Sequence, residues 1–116
     1  MLQDILKAER ADAASKLTGI CAAYTASLDA ARALQAGDPV ALIPDPSLSQ
    51  VTGRAVSVDV EIFLIYPSLD EDEARTHFGE AFIALWPWER ATPQMVDIGE
   101  DQYFAYRVTY SNTYKI

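Results

Sequence analysis

Asp59 and Glu61 stand two residues apart in the segment SVDVEIFLIYPS, residues 57–68, and in an extended chain such residues project from the same face. Paired carboxylates can flank a sugar bond as acid and base, or share a hard cation. A solvated face of an antiparallel sheet also places acids two apart, and that plainer reading outweighs the catalytic one. His77 is the only histidine. It lies between Arg75 and Gly79 with no serine or cysteine nucleophile near it in sequence, so the positioned partner that general-base work needs is missing. Cys21 is the only cysteine; it cannot pair internally, and in a helical pattern it reads as a buried, inert thiol. One His and one Cys do not make a zinc set. Asp70, Glu71, Asp72 and Glu73 open a helix, where capping and the helix dipole account for them. The five glycines are scattered and form no phosphate loop. These residues predict no enzyme, no cofactor and no metal.

The charge is unevenly placed. Four acids and four bases balance in residues 1–36, so thirteen of the chain's 17 acids and five of its nine bases lie in residues 37–116, which carry the whole formal charge of −8. Such a field repels phosphate, which disfavours ordinary nucleic-acid binding and permits a surface that must not stick to DNA, or that imitates it. The amino-terminal residues lack a basic segment followed by an apolar run, and no apolar stretch approaches the ~20 residues of a membrane span, so neither a signal peptide nor a membrane segment is expected.

The elements that position these residues follow from periodicity. Eleven of the first 36 residues are alanine, and Leu6, Ala13, Leu17, Ile20, Tyr24, Ala31 and Leu34 recur at helical spacings. Gly19 interrupts that stripe, which allows a break at Thr18-Gly19, and Gly37 with Pro39 ends it. Residues 40–43 form a short strand, and PDPSLSQVTG, residues 44–53, reads as a loop. The long strand covers residues 54–66. Val56, Val58, Val60, Ile62, Leu64 and Tyr66 make its core face; Ser57, Asp59, Glu61, Phe63 and Ile65 make the other. A helix over 69–86 starts at Ser68 and Glu71, spaced as a capping box, and stops at Pro87. Strands at 95–98 and 103–110 follow, joined by GEDQ. The fold class is α+β, one domain over 1–116, with a small mixed or antiparallel sheet of about four strands. Two helices pack on one face, or three if the first segment breaks.

The Ala-rich first helix, the PVALI strand with its PDPS loop, the SVDVEIFLIYP strand, the acid-capped helix ending at LWPW and the closing FAYRVTYSNTYKI strand together resemble the tail terminator proteins of long-tailed bacteriophages. The resemblance runs over nearly the whole chain in length, order and texture, with no catalytic motif to align. The long first helix departs from it and would suit another neck or tail-completion protein. It implies an α/β subunit that assembles with itself as a hexameric ring on the tail tube, between the tube protein and the head-side connector, at the tail-neck junction of the virion. DNA passes through without sticking. Within that expectation Phe63, Ile65, Trp88 and Tyr103 are the candidate subunit interface, and Asp59 and Glu61 the candidate acidic lumen. Leaving Phe63 and Ile65 exposed would forgo about 1.5–3 kcal/mol each, so something must cover the dry half of that face. The alternative is a small acidic inhibitor or DNA mimic that binds a basic partner.

Overall fold

The computed structural model describes residues 2–115. Its elements are α1 (Leu2–Lys16), β1 (Ala22–Tyr24), α2 (Ser27–Gln35), β2 (Val40–Leu42), β3 (Ser47–Thr52), β4 (Ala55–Ile65), α3 (Glu71–Ala84), β5 (Arg90–Ile98) and β6 (Asp101–Lys115). The architecture is α+β: among the described residues there are three helices and one six-stranded mixed sheet, with more strands than the sequence predicts.

The helical stripe of residues 1–36 does break where Gly19 interrupts it. Gly19 has φ +85°, a conformation that glycine adopts without penalty. The amides of Ile20 and Cys21 fold back onto the Leu17 carbonyl at 2.9 and 3.2 Å, and the chain leaves α1 as the short strand β1. The second half of the stripe is a separate helix, α2. Its end is a Schellman motif: Gly37, at φ +90°, donates its amide to Leu34 O at 3.0 Å, and Asp38 donates to Ala33 O at 3.0 Å. Helix α3 starts two residues later than the Ser68 capping box predicts. Asp70 is the N-cap and accepts from the Glu73 amide at 3.0 Å, while Ser68 Oγ accepts from the Asp70 amide at 3.2 Å. The acids of the first turn still face the positive end of the dipole.

In the sheet the order is β1-β2-β4-β6-β5, with β3 lying beyond β2 along the same edge of β4. Strand β2 pairs with Ile65, Leu64 and Phe63 at one end of β4, and β3 pairs with residues 55–59 at the other. Among the described residues only β1 and β2 run parallel. The expected PDPSLSQVTG loop therefore holds a strand, and the closing strands are longer than their apolar cores suggest. Strand β5 begins at Arg90 and contains Pro93; β6 runs on through Asn112 and Tyr114 to Lys115.

Each face of the sheet buries its own cluster. Helices α1 and α3 cover one face, where Ala13, Leu17, Ala74, Phe78, Ala81 and Leu85 meet Val58, Val60, Ile62 and Leu64 of β4 and the even-numbered residues of β6. That is the core face expected from the alternation. Helix α2 lies on the opposite face, where Ala30, Ala31 and Leu34 pack on Val40, Ile65, Ile98, Tyr103 and Ala105. Two helices thus share a face as predicted and the third does not.

This placement explains the change of texture along β4. Its second face is dry at Phe63 and Ile65 because α2 lies over that end, and wet at Ser57, Asp59 and Glu61 because α2, nine residues long, reaches no further. No second chain is needed to cover Ile65, which is 0% exposed, or Tyr103, which is 7% exposed. Both leave the list of interface residues for the core. Phe63 is half-buried against the same cluster.

Candidate functional site

The uncovered half of that face forms a polar concavity. Strands β3, β4 and β6 extend there as a three-stranded arm, in a molecule 45 Å long and 25 by 23 Å across. Helix α1 backs the arm on one side: buried Glu9 accepts from Asn112 Nδ2 and from the Tyr114 hydroxyl, and Ile5, Leu6 and Tyr114 border the main core. The other side presents Ser47 and Ser49 of β3, Ser57, Asp59 and Glu61 of β4, and Arg107, Ser111 and Thr113 of β6, by the register of the three strands. Alternation in each strand sets these residues on one surface. A shallow groove of about 550 Å³ runs over it, bordered also by Asp45, Glu89 and Arg90.

The structure does bring Asp59 and Glu61 together as the two-residue spacing requires, and it gives both carboxylates partners within the sheet. Asp59 Oδ1 accepts from Ser111 Oγ at 2.6 Å and from Ser57 Oγ at 3.1 Å, and its Oδ2 from Ser49 Oγ at 3.4 Å. Glu61 is paired with the guanidinium of Arg107, which sits one strand across. The surface is thus a mixed, hydrogen-bonded carpet that leans acidic: four carboxylates and two guanidiniums border the groove. Such a carpet can meet water or a polyelectrolyte, and a phosphate chain is not drawn onto it.

The other candidates have structural duties. His77 Nε2 lies 3.2 Å from the Ile20 carbonyl oxygen, which can only accept, so Nε2 carries the hydrogen and ties α3 to the turn that follows α1. Its ring packs on Tyr66 and Phe78. Burial pushes the Cys21 thiol up to about 11, far from the thiolate that nucleophilic or metal-binding work requires. Trp88 is half-buried on the core edge, and its indole N–H is satisfied by the Phe82 carbonyl at 3.0 Å. The exposed indole is that of its neighbour Trp86, 67% accessible, set edge-on to Trp88 at 5.7 Å. Of the two tryptophans that bracket Pro87, the outward one is therefore not the one expected at an interface.

Sequence reasoning missed β3 as a strand. All six of its residues are exposed, Leu48 by 39% and Val51 by 53%, and its outer edge faces solvent. The signal was present in Gly53-Arg54 between Thr52 and Ala55, a two-residue connection of the hairpin kind. Among the described residues no three His, Cys, Asp or Glu side chains converge to hold a metal, and no helix is long and apolar enough to cross a membrane. Comparison with protein-family models, curated proteins and solved structures found no match.

Proposed function

We propose that this chain is a ring-forming structural subunit of the tail-terminator type, stacked on a tail tube beneath a head-side connector, with DNA as passing cargo. The single observation that carries the reading is β3: an edge strand exposed at every residue, uncharged along its length and bearing two apolar side chains. Soluble proteins ordinarily blunt such edges with charge, proline or a covering loop, because an open edge templates pairing with another chain. An edge left open by the fold is suited to subunit assembly. In a ring, α1 occupies one side of the arm, so the polar side carrying Asp59 and Glu61 is the one available to face the opening. The order of elements is in keeping with the same reading.

The rival reading, a DNA-mimicking inhibitor, asks for free acids at phosphate-like spacing. On this surface Asp59 and Glu61 are each occupied by neighbours, which favours the ring. The test is native mass spectrometry and negative-stain imaging of the purified protein, alone and with purified tail tubes. A closed oligomer, or a cap on tube ends, is the expected result. A particle that stays monomeric at high concentration and ignores tubes sinks the reading.

A further inference from the structure

The arm has a second open edge. Strand β5 pairs with β6 only as far as Thr109, opposite Arg90, and no strand among the described residues lies against the outer edge of β6 from residue 110 to residue 115. The open run matches β3 in length: residues 110–115 on one flank of the arm, Ser47–Thr52 on the other. The geometry points to a head-to-tail joint in which the β3 edge of one copy pairs in parallel with residues 110–115 of β6 in the next, so that adjacent arms form one continuous sheet. This inference rests on the ring reading and specifies its interface.

Three observations select this pairing. First, the remaining edges are guarded. Strand β1 has three residues, and β5 carries Pro93, which has no amide hydrogen to give, between the charges of Arg90 and Asp97. Second, the two open edges agree in texture on both faces. Ser47 and Ser49 share the polar side with Ser111 and Thr113, while Leu48 and Gln50 share the α1 side with Asn112 and Tyr114. Joining the edges continues hydroxyl against hydroxyl on one face and buries Leu48 beside Tyr114 on the other. Third, a chain of net charge −8 repels its own copies, yet SLSQVT and YSNTYK contain no acid at all. Direction follows from topology. Strands β3 and β6 both run antiparallel to β4, so they are parallel to each other within a subunit, and copies related by rotation about a ring axis along the strands keep that sense.

Single-cysteine variants read the joint directly, in a Cys21→Ala background. Neighbouring strands lie about 4.8 Å apart, within the Cα separations of about 4.4–6.8 Å that a disulfide spans. Ser49→Cys protein is mixed with Thr113→Cys protein, and separately with Ser111→Cys protein to cover both same-face registers, then oxidised with oxidised glutathione. Covalent dimers are expected in at least one mixture and in none of the single variants alone. Ser49→Cys dimerising with itself overturns the proposal in favour of a two-fold β3–β3 joint. A closed oligomer by native mass spectrometry with no β3–β6 cross-link overturns the joint and leaves the ring standing. A monomer under all conditions overturns both. A Ser49→Lys/Val51→Lys variant provides the second measurement: both positions are exposed, so its circular dichroism stays that of the parent while oligomer is lost, and retention of oligomer counts against the joint.

Discussion

Glu9 in α1 and Tyr114 near the end of β6 are joined by a hydrogen bond across 105 positions of sequence, the phenol donating and Oε1 accepting. Asn112 Nδ2 donates to the same carboxylate, at 3.1 Å to Oε1 and 2.9 Å to Oε2. Glu9 is 4% exposed, the only charged side chain buried among the described residues. A carboxylate taken so far out of water is tolerated because donors replace its hydration, and all of these come from the arm. The cluster is the joint between α1 and the strand whose outer edge is proposed to receive the next subunit.

Breaking that joint is expected to lower stability and to do so cooperatively. Tyr114→Phe removes one donor. Glu9→Gln keeps the shape but turns an amide donor toward Asn112, so each change costs about 1–3 kcal/mol, the range for leaving a buried polar group unsatisfied. Because the two residues share one hydrogen bond, the double variant loses less than the two single losses added together. Urea midpoints of the four proteins measure this, and strict additivity would show that the contact carries no coupling.

Alkaline pH attacks the same place. The Tyr114 phenol is pushed up to about 12, first by its hydrogen bond to Glu9, then by partial burial and the negative field of Glu9 and Asp12. Tyr110 is likewise pushed up to about 12, mainly by burial and then by the charges of Glu9 and Asp12. In the unfolded chain both ionise near 10. Below that pH both states hold the protons and the full stabilisation is present. As pH climbs from about 10 to about 12 the unfolded chain gives up protons that the folded one keeps, so stability falls. Phenolate absorbance should lag in folded protein, and Tyr110→Phe and Tyr114→Phe should each make the fall in urea midpoint shallower. An unchanged slope in both variants would remove these phenols as the cause.

The dry half of β4 gives a sharper test of core against interface. Ile65 is sealed beneath α2, so Ile65→Ala is expected to cost about 2–5 kcal/mol, the range for emptying a packed site. Phe63, half-buried at the margin of the same cluster, costs less when cut to alanine. Leu48, 39% exposed on β3, changes monomer stability by less than about 0.5 kcal/mol and is expected to weaken assembly. Thermal unfolding separates the first two from the third. A Leu48→Ser variant that unfolds like Ile65→Ala would mean that β3 belongs to the monomer's core.

Much of this fold is legible from local pattern. The even-numbered face of β4, the acid-capped α3 and the Gly19 break each follow from spacing within a dozen residues. What sequence could not place is non-local. The side of the sheet taken by α2 depends on how the chain turns after Tyr24, and nothing within Ser27–Gln35 encodes it, so both Phe63 and Ile65 look uncovered in sequence although α2 seals Ile65 and half-buries Phe63. Strand β3 escaped notice because SLSQVT has no apolar alternation strong enough to stand out beside Pro46 and Gly53. Its pairing depends on the hairpin with β4 rather than on burial. Asp59 and Glu61 were legible as a same-face pair; their partners Ser111 and Arg107 lie 52 and 46 residues away and were not.

Two glycines separate backbone conformation from packing, with opposite signs expected. Gly19 ends α1 at φ +85°, and a Cβ built there meets nothing within 4 Å. Gly19→Ala therefore pays only the left-handed conformation, about 1–2 kcal/mol, and loosens the turn to which His77 is tied. Gly79 lies inside α3 with ordinary helical backbone and equally open space around its missing Cβ. Gly79→Ala therefore restrains the unfolded chain without straining the folded one and raises stability by about 0.4–1 kcal/mol. Urea denaturation of both variants and the parent measures the difference. The same sign for both would mean that the backbone at Gly19 relaxes out of the left-handed region, and that α1 and β1 are not held apart by this residue.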